Sequence, residues 1–178
     1  MCAGYKVEPR IVNRDRIALA GLSFFGDPFK EKGGWTEENE IGRLWKRFMS
    51  YLDNEQLSLR GNEDVQVCYE VHIVHPETRQ SGEYEVFTGF ETDVAGETPP
   101  EFLIKILPPC LYGVFTLRGE QITADWFQEI YQHWLPASGY REAYRYSFQL
   151  YDSRFKGLDR LEESEIDLYV PIEPRENG

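Results

Sequence analysis

Tyr131-Gln132-His133-Trp134-Leu135-Pro136-Ala137-Ser138-Gly139-Tyr140, followed shortly by Ser147-Phe148-Gln149-Leu150-Tyr151-Asp152, carries the strongest structural signal in the chain. The first segment reads as the end of an aromatic-rich helix, stopped at Pro136 because proline lacks the N–H that a helix interior needs. The chain then turns on Ser138-Gly139. The second segment reads as a short strand with one polar residue, Gln149, among large apolar ones. On an extended strand Ser147, Gln149 and Tyr151 share one face, and Phe148 and Leu150 share the other.

Outward from this core, Trp126, Phe127, Ile130, Tyr131 and Trp134 form the apolar stripe of a helix, with Thr123 as its expected N-cap. Before it, 102–107 and 111–117 read as strand on either side of a Pro108-Pro109 kink, running on to Gly119. After it, 144–152 and 166–172 read as a hairpin around the charged loop 153–165, and 173–178 as a frayed tail.

The first part of the chain repeats that order. Ile11-Val12 and 17–22 are strand-like around a polar kink at 13–16, and 26–34 is a loop. Thr36 offers an N-cap, and Glu37, Glu38 and Glu40 suit the positive end of a helix dipole. Ile41, Leu44, Trp45, Phe48 and Leu52 then predict an amphipathic helix over about 37–52, with Arg43, Lys46 and Arg47 outward. Val65, Val67, Tyr69, Val71 and Ile73 alternate with polar residues, as in a half-buried strand. A turn with Pro76 and Gly82 leads to a partner strand over 84–92. The expected organisation is a single domain, 1–178, of two strand-helix-strand-strand units near 5–92 and 101–172, joined by a linker at 93–101.

A chain of 178 residues with 41% hydrophobic content can bury a sizeable core. Eleven Tyr, eleven Phe and four Trp exceed the needs of that core, and surplus rings often line apolar pockets. The net charge of −12 argues against direct nucleic-acid binding, which needs Lys and Arg at phosphates. The same charge suits attraction of cations, or an acidic surface that engages a protein partner. The three cysteines, Cys2, Cys68 and Cys110, are widely spaced and form no CxxC or Cys-His cluster, so neither a disulfide framework nor a metal site is expected. His72 and His75 fall at a strand end, where solvated histidines are common. No apolar run nears the ~20 residues of a membrane span, and there is no signal-peptide core. A cytoplasmic location follows as the expectation. No segment has room for a helix-turn-helix, and no catalytic motif such as GxSxG or HExxH occurs.

Several motifs in order resemble the GyrI-like, AraC-type effector-binding family. They are Leu44-Trp45-Lys46-Arg47-Phe48, Phe87-Thr88-Gly89-Phe90, Tyr112-Gly113-Val114-Phe115 up to Gly119, the Trp134-Leu135-Pro136-Ala137-Ser138-Gly139-Tyr140 run, and Leu168-Tyr169-Val170-Pro171. The run from Gly33 to Glu40 resembles the integron-associated branch. The resemblance implies an α+β fold. A duplicated βαββ unit would form a curved antiparallel sheet, with two long helices on one side and a ligand groove between the halves.

The resemblance also implies a binding role for amphipathic aromatic small molecules, cationic ones among them, with no cofactor. In the family a strand glutamate on the pocket floor faces cationic ligands, and Gln149 holds that position here. Gln149 and Tyr151 are then floor candidates. Tyr169 is a hydrogen-bonding or stacking candidate, and Asp167 a substitute anion. Trp45, Phe48, Tyr131 and Trp134 lie on the inner helix stripes, and Phe90 and Tyr112 are wall candidates by analogy. The expected function is a stand-alone sensor or sequestering module. The rivals are an acidic inhibitor of a DNA-handling enzyme such as gyrase, and a hydrolase of reactive natural products. Some relatives hydrolyse strained compounds with a pocket glutamate, a role that Gln149 cannot fill.

Overall fold

The computed structural model describes residues 8–53, 67–93 and 98–175. Cys2, Val65, residues 94–97 of the expected linker and the last three residues lie outside them. The described residues hold nine strands in one sheet. They are β1 (Arg10–Arg14), β2 (Ile17–Gly26), β3 (Cys68–Ile73), β4 (Tyr84–Glu91), β5 (Leu103–Leu107), β6 (Cys110–Arg118), β7 (Tyr140–Glu142), β8 (Tyr146–Tyr151) and β9 (Glu165–Pro174). The order is β1-β6-β9-β8-β3-β4-β2-β5, with β7 pairing the far end of β9, and every pairing is antiparallel.

That order reads alike from both edges when β1, β2, β3 and β4 are matched with β5, β6, β8 and β9. The centre is the β3–β8 pair. Each edge strand, however, sits on the opposite half: β1 pairs β6, and β5 pairs β2. Asp15-Arg16 joins β1 to β2, and Pro108-Pro109 joins β5 to β6. Connections so short reach only about 10 Å. The sheet therefore curls until its two ends approach each other over one face. Val12, Ile17, Leu107 and Cys110 from those ends share a core with Tyr69, Phe87, Tyr112, Phe148 and Tyr169 from the strands between.

The helices cover the other face. α1 (Glu40–Asp53) buries Leu44 and Phe48. Asn39, not Thr36, caps it: Asn39 Oδ1 accepts the Gly42 N–H at 3.0 Å, and Asn39 Nδ2 donates to the Gly34 carbonyl at 2.8 Å. Thr36 instead accepts the Glu38 N–H inside the preceding turn. The turn expected after Pro76 contains a short helix, α2 (Thr78–Ser81), ended by Gly82 at φ +76°. Thr123 is not a cap either, because Gly119–Thr123 is a 3-10 turn. The second helix opens at Trp126, with Asp125 Oδ1 accepting the Gln128 N–H at 3.2 Å. It is π-helical over Gln128–Trp134 and passes into α3 (Leu135–Ala137).

Pro136 thus lies inside the helix rather than stopping it. A proline ring clashes with the carbonyl four residues back in an α-helix, and the wider π turn moves that carbonyl away. The expected tail is also ordered through Arg175. Glu173 and Pro174 extend β9, and the Arg175 guanidinium donates to the carbonyls of Leu135, Pro136 and Tyr140 at 3.2, 3.4 and 2.8 Å.

Candidate functional site

The central strands β3 and β8 carry unusual side chains on the helix-covered face. Cys68, Glu70 and His72 stand directly opposite Tyr151, Gln149 and Ser147. Thr88 on β4 extends the row, in register with Glu70. Glu70 is 4% exposed and Gln149 3% exposed. A buried carboxylate is costly without partners, and Glu70 has two. The Trp45 indole N–H donates to one oxygen, and His72 Nε2 lies 2.7 Å from the other. Across the register, the Tyr151 hydroxyl donates to Gln149 Oε1 at 2.6 Å. Burial, and then the Glu70 charge, push the Tyr151 hydroxyl well up, so it stays protonated and a donor. The Thr88 hydroxyl is buried with no hydrogen-bond partner among the described residues.

Both helices reach over this floor with matching spacing. On α1, Leu44 is buried, Trp45 stands over Glu70 and Phe48 packs on Phe90 at 6.1 Å. On the second helix, Ile130 is buried, Tyr131 is within hydrogen-bonding reach of Ser147, and Trp134 packs edge-on against Phe115 at 5.1 Å. Burial, and then Glu142, raise the Tyr131 hydroxyl. Trp45 also meets the Tyr151 ring edge-on at 5.1 Å. By that spacing the counterpart of Trp45 on the second helix is Tyr131, not Trp134. Trp134, one turn on, lies over β6 with a ring carbon 3.3 Å from where a Gly113 Cβ would stand.

The sequence-derived candidates separate by face. Gln149, Tyr151, Trp45, Phe48, Phe90, Tyr131 and Trp134 lie on the helix side. Within that group Phe48, Phe90 and Tyr151 are buried in one hydrophobic core, and Trp45, Tyr131 and Trp134 pack against it. Tyr112, Tyr169 and Asp167 lie on the opposite face. Tyr169 stacks on Phe148 at 4.5 Å, and Tyr112 meets both rings edge-on, at 5.5 and 5.7 Å. Tyr112 also shares a 2.6 Å hydroxyl hydrogen bond with Tyr146. Asp167 accepts from Thr116 at 2.6 Å, Arg154 at 2.8 Å and Arg10 at 3.4 Å. It is already answered by guanidinium groups, and the whole sheet separates it from Gln149.

Glu70 is the acid that the sequence reading passed over. In the alternating pattern of β3 it looks like a solvent-facing residue. The signal that finds it is alignment of the two halves, which sets Tyr69-Glu70-Val71 on Phe148-Gln149-Leu150. His72, expected to be solvated, is half-buried against Glu70 and Tyr84.

The opposite face has an open cleft of about 560 Å³, lined by Tyr69, Leu150 and Tyr169 with Glu91, Asp152, Asp167 and Arg154. Its charges pair with one another: Arg154 with Asp152 and Asp167, and Arg14 with Glu91 while lying 5.6 Å from the Tyr169 ring. Among the described residues no group of His, Cys, Asp and Glu is placed to hold a metal ion, and no helix is long and apolar enough to cross a membrane.

An antiparallel sheet with its helices on one face agrees with the fold of known proteins. The profile of Cass2, described as integron-associated effector binding protein, matches residues 10–172. The chain belongs to this family. The transcriptional regulator BrlR of Pseudomonas aeruginosa is 34% identical over 167 residues, which cover 92% of this chain and 54% of BrlR. The chain thus spans about half the length of that relative. Among solved structures, SAV2435 bound to tetraphenylphosphonium aligns with a TM-score of 0.64 at 14% identity, covering 93% of this chain and 94% of its own. The integron cassette protein VCH_CASS2 from the mobile metagenome of Vibrio cholerae aligns with a TM-score of 0.60 at 16% identity, covering 93% and 96%. These likenesses confirm the α+β, mostly antiparallel fold of this effector-binding, GyrI-like family.

Proposed function

We propose that this effector-binding chain takes amphipathic aromatic cations into the groove between α1 and the second helix, and acts as a sensor or sequestering module. Glu70 carries the reading. It is a buried carboxylate whose partners are a neutral indole N–H and an imidazole. A lipophilic cation entering between Trp45 and Tyr131 would supply a full opposite charge in a low-dielectric setting, where such pairing is strongest. The rings of Trp45, Tyr131 and Tyr151 would supply apolar contact and cation–π attraction. The ligand reported for SAV2435, tetraphenylphosphonium, has this chemistry and supports the choice of probe.

The test is calorimetric titration of tetraphenylphosphonium into the wild type and Glu70→Gln. The expected result is saturable binding that weakens by about tenfold or more in the variant, the scale of a lost charged contact. Equal affinity in both proteins would remove Glu70 from the site. Chemical turnover of the bound ligand would point to an enzyme instead.

A further inference from the structure

The groove floor is matched in position across its centre and unmatched in charge. Glu70 and Gln149 are directly opposite each other and both buried. Glu70 is acceptor-only and satisfied by Trp45 and His72. Gln149 is a neutral amide whose carbonyl oxygen already accepts from the Tyr151 hydroxyl, and its N–H₂ offers a pair of donors.

Building on the reading above, we infer that the groove has a direction. It selects aromatic monocations that place the charge on Glu70 and a neutral hydrogen-bond acceptor on Gln149, and it discriminates against dications of the same shape. A second cationic centre over β8 would lose its hydration and meet a neutral amide and its two N–H donors rather than a carboxylate, which is a severe cost for a buried charge. The other acids near the groove do not relieve that cost. Glu142, beside Tyr131, is pushed up by burial, which disfavours its charged form, with Arg145 and Arg79 opposing that shift only in part. Glu129 pairs with His133 on the exposed side of the second helix. Asp167 lies across the sheet with Arg154 and Arg10.

Ethidium and propidium provide the test, since they share one aromatic core and propidium adds a quaternary ammonium. Long-range attraction to a chain of net charge −12 favours propidium, so a preference for ethidium must come from the site. The wild type is expected to hold ethidium about tenfold or more tighter than propidium in calorimetry. Gln149→Glu should narrow or invert that ratio. The exchanged pair Glu70→Gln/Gln149→Glu restores one acid and should restore the preference for ethidium. Thermal melts establish that the variants are folded, and the wild-type ratio stands as a test without them. A wild type that holds propidium as well as ethidium overturns the inference, as does a folded Gln149→Glu protein with an unchanged ratio. If tetraphenylphosphonium binds and the two dyes are not discriminated, only the direction of the groove is lost. If neither tetraphenylphosphonium nor ethidium binds, the reading of the groove falls with it.

Discussion

Trp45 does two jobs: its indole N–H donates to Glu70, and its ring packs edge-on against Tyr151. Trp45→Phe keeps a ring and removes the donor, leaving a buried oxygen short of a partner. Stability is expected to fall by about 1–3 kcal/mol. Thermal melts with and without saturating tetraphenylphosphonium should show a smaller loss in its presence, because the cation then partners the carboxylate. An equal loss in both conditions would separate Trp45 from the ligand site. Cys68, at the end of the same floor, permits a pH prediction. Burial pushes its thiol from an ordinary 9 up to about 11. In the unfolded chain the thiol ionises first, so the contribution to stability is complete below about pH 9 and is lost as pH rises through about 11. Alkylation of Cys68 at pH 8 should therefore be slow in the folded protein and fast in denaturant, and rapid modification of native protein would contradict its burial. At this scale the sequence was half legible. Gln149 stood out because a lone polar residue among Phe148, Leu150 and Tyr151 is conspicuous. Glu70 did not, because alternation looks the same whether the polar face meets solvent or a groove roofed by helices.

Among the elements, the second helix shows where local rules were overridden. Its aromatic stripe was readable from spacing, but its π-helical turn was not, since nothing in Gln128–Trp134 departs from ordinary helix formers. The reason lies downstream: Pro136 is carried inside the helix, and the chain end closes over it. Arg175 donates to three carbonyls around the end of the helix, where a cation also complements the helix dipole. Arg175→Ala is expected to cost about 1 kcal/mol. Hydrogen exchange should quicken over 126–137 while α1 is unchanged, because Arg175 touches nothing near α1. Uniform quickening, or none, would show that the arginine does not hold the helix. A second element-level prediction concerns β2 and β4, which approach so closely at Gly21 and Gly89 that a Cβ on Gly21 would stand 1.9 Å from the Thr88 carbonyl oxygen. The atom it meets is backbone, so no rotamer relieves the clash. Gly21→Ala should destabilise by about 1–3 kcal/mol or more in chemical denaturation, and a neutral outcome would mean that the two strands can separate freely.

At the scale of the whole molecule the two halves are interleaved, and this was the least legible feature of all. The order strand, helix, strand, strand could be read twice along the chain. The residues of Arg10–Arg14 and Leu103–Leu107 look the same whether each edge strand pairs within its own half or across to the other. The short Asp15-Arg16 and Pro108-Pro109 connections settle it, by holding each edge strand end to end with the next strand rather than beside it. Three of the pairings cross between halves: β1 with β6, β5 with β2, and β3 with β8. A fragment of residues 1–97 would leave β1 without a partner and open edges on β2 and β3. It would also expose Ile17, Leu19, Tyr69, Val71 and Phe87, which share their core with residues of the second half. Unpaired apolar edges drive association. The fragment is therefore expected to aggregate or remain unfolded, while co-expression with residues 98–178 should recover a soluble complex with the full-length thermal transition. A fragment that is monomeric, well dispersed in its amide spectrum and cooperative in melting would show that the crossing pairings are dispensable, and that each half carries enough of its own core to fold alone.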